Sequence, residues 1–142
     1  MEAGSSDDVT FRYVPAVFSP KWEFHGRAFY AAKAMGVLDR FHDAMYKALH
    51  EQDRRLDSPE AIGEFVAGLG MDGDKFVTAM NSFAVNVKIK RARDLQKAYG
   101  ISGTPSVVID ATYVTSGSLA GSFDRMIEIV DERVAAARKR AQ

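Results

Sequence analysis

The stretch that decides the fold is "YGISGTPSVVI", residues 99–109. It predicts a helix that ends at Gly100, a tight loop, and a strand over 106–109, because β-branched residues favour strands. A proline directly before such a run has two interpretations. It is either a trans proline at the first strand position, which is common, or a cis proline, which is rarer. Composition does not choose between them.

The segments around this stretch predict the order strand, five helices, hairpin, helix. Alternation of Val9, Phe11 and Tyr13 with more polar neighbours predicts a strand over 9–14. The pairs Ser19-Pro20 and Ser58-Pro59 each predict a helix start, with a serine cap before a proline at the first helical position. Strands over 106–109 and 113–116 are separated by a hairpin-length gap, and a long C-terminal helix begins near Phe123. This order is typical of an α/β or α+β fold with a helical insertion.

The composition limits the function classes. The chain has 142 residues, 46% hydrophobic and 27% charged, with 19 basic and 19 acidic side chains, so it suits one soluble domain and gives no electrostatic argument for nucleic acid. No apolar run approaches the roughly 18 residues of a membrane span. The first residues carry no basic or apolar segment of a signal peptide. The absence of cysteine excludes disulfides, thiolate metal sites and a cysteine nucleophile from these residues.

Several blocks resemble the DsbA family of thiol:disulfide oxidoreductases. They are "VTFRYVPAVF" (9–18), "HGRAFYAAKAMGVLDRFHDAMYKALH" (25–50), "NSFAVNVKIKRARDLQKAYGISGTPSVVID" (81–110) and "YVTSG" (113–117). The resemblance implies a thioredoxin-like fold whose proline before the strand is cis. It also implies three parts: a flexible lead-in at 1–8, a partial thioredoxin-like domain at 9–18 and 100–142, and an inserted helical domain at 19–99.

The resemblance also implies where a substrate would bind. In the family, the loop at the cis proline holds an extended, cysteine-containing polypeptide through backbone hydrogen bonds, as an added strand does. By position this role passes to Gly103, Thr104 and Pro105. The family works in the periplasm and needs no cofactor, so we expect unfolded cysteine-containing polypeptides as partners in that compartment.

The family's redox centre has no counterpart in these residues. The Cys-X-X-Cys helix and the central strand should precede the strand at 9–14, so the catalytic set is empty and the sheet is N-terminally truncated. We expect one of three outcomes. The strands at 9–14 and 106–109 close on each other, or another chain supplies a strand, as in a homodimer through the incomplete sheet, or the natural protein is longer. We favour an internal start at Met1, with the signal peptide and dithiol encoded upstream, over a short paralogue or a truncation.

Two other function classes stay open. One is a non-catalytic peptide-binding module on a degenerate thioredoxin fold. The other is a fragment of a glutathione-linked isomerase or transferase of the same superfamily, which carries serine at the redox position.

Other candidate residues favour structural interpretations. His42 and His50 are eight residues apart, whereas a metal pair on a helix is usually three or four apart, and His25 has no partner pattern, so we predict no metal site. Ser116 and Ser118 lack the surroundings of a serine nucleophile. A solvated helix face explains the basic stripe Lys88, Lys90, Arg91, Arg93 and Lys97. Core packing between helices explains the aromatic cluster Trp22, Phe24, Phe29 and Tyr30.

Overall fold

A computed structural model describes residues 7–142. These residues form five helices, a hairpin and two more helices: α1 (Pro20–Ala34), α2 (Leu38–His50), α3 (Pro59–Gly68), α4 (Gly73–Met80), α5 (Phe83–Ala98), β1 (Ser106–Ile109), β2 (Tyr113–Ser116), α6 (Gly117–Ala120) and α7 (Phe123–Arg140). The described residues form two compact units, 7–93 and 94–142. Within the described residues, no helix is both long and apolar enough to cross a membrane.

Local capping explains where the helices begin. The side chains of Ser19 and Ser58 accept hydrogen bonds from the backbone N–H groups of Trp22 and Ala61, and a proline follows each serine. Such caps satisfy donors that have no partner within the helix. The predicted starts of α1 and α3 are therefore confirmed, as are the two strands of the hairpin.

The strand predicted over 9–14 is wrong for the described residues. Residues 9–17 carry no regular secondary structure, and the sheet contains only β1 and β2. A strand is stabilised by hydrogen bonds to a neighbouring strand, and the described residues supply none for this segment. Phe11 and Tyr13 are about half exposed, whereas Val17 is buried and packs in a small cluster with Tyr30, Val85 and Ile89. Of the predicted lead-in at 1–8, residues 1–6 lie outside the described residues.

The first unit is organised around one apolar core formed by α1 to α4. Its largest fully buried side chains include Leu56, Ile62, Phe76 and Met80. α3 and α4 cross at two glycines: a Cβ added to Gly73 would lie 2.5 Å from the carbonyl oxygen of Gly63. Helices approach this closely only where the contact residues lack side chains.

A polar network links α1 to α4 and α5. Arg27 contacts Glu23 at 3.0 Å and donates to the carbonyl of Met80 at 3.1 Å and to Oδ1 of Asn86 at 2.6 Å. Arg93 contacts the other carboxylate oxygen of Glu23 at 2.5 Å. Burial raises the pKa of Glu23, but the hydrogen bonds and charges of Arg27 and Arg93 outweigh burial, and the net pKa lies below the ordinary 4.5.

We expect Glu23→Gln to destabilise the protein by about 1 kcal/mol at pH 7, a value reduced for partial exposure. Because the pKa of Glu23 is lower in the folded state, its contribution is complete above the ordinary pKa of 4.5 and is lost as the pH falls through the lowered value. Urea unfolding of both proteins between pH 7 and 3 should show the difference disappear in acid. Glu128→Gln is the control, since this exposed carboxylate pairs only at the surface. A difference that does not vary with pH would contradict the role of the charge.

In the second unit, α7 packs against the hairpin. β1 and β2 are antiparallel, with Ser106 opposite Ser116 and Ile109 opposite Tyr113. Asp110 and Ala111 both have φ near +50°, as in a type I′ turn, and they lie in the three-residue loop 110–112 between the paired residues Ile109 and Tyr113. Met126 of α7 is buried, as is Thr115 of β2. The register thus brings the start of β1 beside the end of β2.

Candidate functional site

The loop at 101–105 joins the end of α5 to the start of β1. Gly100 has φ of +63°, and the N–H of Ile101 returns to the carbonyl of Gln96 at 2.9 Å, which ends the helix. The hydroxyl of Ser106 donates to the carbonyl of Gly103 at 2.6 Å and closes the loop on itself. The Thr104–Pro105 peptide bond is cis. The loop is therefore held by its own residues.

Gly103, Thr104 and Pro105 lie together and are all exposed. Within residues 7–142, no backbone hydrogen bond engages Thr104. Its N–H and carbonyl are consequently the main-chain groups that an external chain could reach. The structure thus places the three predicted site residues side by side on an accessible surface.

These residues form one wall of a cleft of about 700 Å³. The opposite wall comes from β2, α6 and the start of α7. Its side chains are mixed: the hydroxyls of Ser116, Ser118 and Ser122 alternate with Leu119 and Phe123. Leu119 is 73% exposed and Phe123 is 60% exposed, so the cleft offers apolar surface directly to solvent.

Serine caps and one glycine shape the second wall. Ser116 accepts from the N–H of Leu119 and so starts α6, and Ser122 accepts from the N–H of Arg125 and starts α7. Gly117 lies under the ring of Phe123, where a Cβ would come 2.5 Å from the ring. The sequence interpretation missed α6, Leu119 and Phe123. The sequence did carry a signal for α6: Ser116 and Ser122, two potential helix caps, lie on either side of Leu119, which no predicted element includes.

Other candidates have structural roles. Nε2 of His25 lies 2.8 Å from the carbonyl of Leu56, and the rings of His42 and His50 contact Tyr13 and Tyr46. In the described part of the chain, no group of three metal-ligating side chains occurs.

The structural interpretations given above for the basic stripe and for the aromatic cluster fit the structure to different degrees. In the basic stripe, Arg93 pairs with Glu23 and Lys88 lies over the ring of Tyr30. Core packing of the aromatic cluster is confirmed for Tyr30, which is buried, and for Phe24 and Phe29, which pack against buried clusters. It is wrong for Trp22, which is 40% exposed and packs edge-on against Phe18. Trp22 lies outside the buried side of α1, which consists of Gly26, Ala28, Tyr30, Ala31 and Ala32.

The structure has a cis proline at the entrance of a hairpin strand, a C-terminal helix packed on that hairpin and a preceding helical block, as the resemblance to thioredoxin-fold proteins implied. Residues 3–126 match the family model for the DSBA-like thioredoxin domain. The chain belongs to this family. The predicted fold class and family are thereby confirmed.

Known proteins agree with this assignment. The chain is 38% identical over 125 residues to the thiol:disulfide interchange protein DsbA of Azotobacter vinelandii, which covers 88% of this chain and 58% of the relative. The crystal structure of Pseudomonas aeruginosa DsbA superposes with a TM-score of 0.85 at 33% identity, over 95% of this chain and 72% of that one. A Proteus mirabilis DsbA variant shares the fold, with a TM-score of 0.65 at 24% identity over 81% and 64% of the two chains. This chain therefore spans less than two thirds of the Azotobacter relative.

Proposed function

We propose that the cleft at Thr104 and Pro105 binds extended, cysteine-containing polypeptides as the substrate-binding part of a DsbA-type thiol:disulfide interchange protein. The observation that carries the proposal is the exposed backbone of Thr104 at the edge of a partly apolar cleft. An extended peptide can pair with such a backbone as an added strand, and side-chain pockets beside it add affinity. Leu119 and Phe123 supply that apolar surface.

A related protein supports the substrate class. The structure of the Proteus mirabilis DsbA variant is a complex with a non-covalently bound peptide, PWATCDS, which contains one cysteine. We propose the same class of ligand for this chain: a short unfolded segment that carries a cysteine.

The redox step requires thiols, and residues 1–142 contain none. In this proposal the oxidant is a disulfide-bonded cysteine pair in a polypeptide segment outside these residues. The thiolate of the substrate cysteine held in the cleft attacks one sulfur of that disulfide, so a mixed disulfide forms and the other cysteine of the pair leaves as a thiolate. A second substrate cysteine then attacks the mixed disulfide, which gives the substrate its disulfide and leaves the pair reduced. A peptide-binding module without redox activity would use the same cleft. The two possibilities share the binding step and differ only in whether a dithiol is present beside it.

Two further features are proposed with the function. The compartment is the periplasm, where an oxidising environment sustains disulfide formation. A homodimer would form through the incomplete sheet, since β1 and β2 have no other strand neighbour among the described residues and unpaired strand edges favour association.

Fluorescence anisotropy with labelled PWATCDS tests the binding step. We expect saturable binding that Pro105→Ala weakens about tenfold, because the substitution removes apolar surface and frees the backbone beside Thr104. Pro59→Ala is the matched control: it removes a proline from the start of α3 and should leave the affinity unchanged. Replacing the peptide's cysteine by serine tests whether the thiol contributes.

Two results would contradict the proposal. One is the absence of saturable binding. The other is saturable binding with the same affinity for the wild-type protein, Pro105→Ala and Pro59→Ala. Light scattering on the same samples reports whether the protein is a monomer or a dimer.

A further inference from the structure

A second, smaller pocket lies at the turn end of the hairpin. Five residues line it: Ile109, Thr112, Tyr113, Arg133 and Arg140. Its volume is about 180 Å³, roughly six times the space of one water molecule in the liquid. The pocket is therefore large enough for a small polar group with its first hydration waters.

Arg133 is oriented by an aromatic ring. Its guanidinium carbon lies 3.9 Å from the centre of the Tyr113 ring. A guanidinium stacked on a ring keeps its N–H donors in its own plane, where they can bind an acceptor. No carboxylate pairs with Arg133 among residues 7–142, so this cation is oriented without being neutralised.

Arg140 supplies a second cation with a weakly held partner. It contacts Oδ2 of Asp110 at 3.3 Å, and both side chains are about 60% exposed. Exposed pairs of this kind contribute little, so an incoming anion can displace Asp110. The Thr112 hydroxyl lies 3.1 Å from the carbonyl of Asp110; it donates there and is not a donor for a ligand.

The acidic residues nearby on α7 do not neutralise the pocket. Glu132 contacts Arg125 at 2.9 Å, and residues one or two positions apart on a helix point in different directions. The last turn of α7 is basic, which offsets the negative end of the helix dipole. The pocket therefore presents net positive charge.

We infer that this pocket binds a single oxyanion group, a carboxylate or a phosphate, between Arg133 and Arg140. The planar guanidinium of Arg133 donates two parallel hydrogen bonds to two oxygens of the ligand, and Arg140 adds charge from the other side. The inference is independent of peptide binding at Thr104 and Pro105, because the two sites share no lining residue.

NMR titration of the ¹⁵N-labelled protein tests the inference, with sodium phosphate and sodium acetate as separate probes at constant ionic strength set by chloride. We expect saturable shifts at Thr112, Tyr113 and Arg133. Stronger binding of phosphate than of acetate would assign a phosphate ligand, and the reverse a carboxylate; either result supports an oxyanion site.

Four variants separate geometry from charge. Arg133→Gln should weaken binding about tenfold, and Arg133→Lys, which keeps the charge but loses the planar donors, should weaken it several-fold. Asp110→Asn should strengthen binding about threefold, because it removes the competing carboxylate from Arg140. Lys139→Gln removes an exposed cation of the same helix that does not line the pocket and should change nothing.

The inference fails if the shifts do not saturate or match those caused by chloride. It also fails if Lys139→Gln lowers affinity as much as Arg133→Gln, since diffuse charge then explains the binding. Because Asp110→Asn predicts a gain of affinity, loss of folding in a variant cannot imitate the full pattern.

Discussion

Gly73→Ala is expected to destabilise the helical unit by about 3 kcal/mol, near the upper end of the usual cost of overpacking. The added methyl would lie 2.5 Å from the Gly63 carbonyl oxygen and 3.4 Å from Cβ of Ala67. The first contact is with backbone, which cannot rotate away as a side chain can. Relief requires α3 and α4 to separate, which would open the core at Ile62 and Phe76. Urea unfolding followed by circular dichroism measures the loss.

Gly68→Ala is the matched control. Gly68 belongs to α3, and an added Cβ would meet nothing within 4 Å. Alanine favours a helix over glycine by about 0.5–1 kcal/mol, so this variant should be slightly more stable than the wild type. Equal stability of Gly73→Ala and the wild type would show that the two helices do not cross at these glycines.

Phe76→Ala is expected to cost about 3–5 kcal/mol, the range for a large aromatic removed from a core. The side chain is fully buried, and its ring lies 5.3 Å from that of Phe41 in α2. The substitution removes apolar burial and leaves a cavity between α2 and α4. Against a total stability of roughly 5–15 kcal/mol, this loss should lower the unfolding midpoint strongly.

Phe83→Ala is the control that separates the effect of burial on stability from the effect of removing any phenylalanine. Phe83 begins α5 and is 82% exposed, so its truncation should change stability by no more than about 0.5 kcal/mol. Thermal unfolding of Phe76→Ala and Phe83→Ala, measured side by side with the wild type, tests the difference. A similar loss in both would mean that the core does not depend on Phe76 in the way described.

The parts of the fold that can be predicted from the sequence are those fixed by contacts between residues close together in the chain. Serine caps with a following proline mark the starts of α1 and α3 through contacts within three residues. The hairpin follows from two β-branched runs around a short turn. Thr104 and Pro105 were found by resemblance to a family, because their use depends on neighbours that no local pattern reveals.

Non-local features were the ones missed. The segment at 9–14 alternates as a strand does, yet strand formation depends on a partner far away in the chain or in another chain. The Gly63–Gly73 contact joins two helices, and neither glycine is distinctive within its own helix. Leu119 and Phe123 resemble ordinary core residues in the sequence, and only the packing of the second unit leaves them exposed.

The larger cleft, proposed above to bind peptides, has a consequence for how this surface forms during folding. All of its lining residues come from one continuous stretch, 100–123. Closing short loops costs little conformational entropy, and structures dominated by near-neighbour contacts form quickly. The surface can therefore assemble early in folding, before contacts form between residues far apart in the sequence.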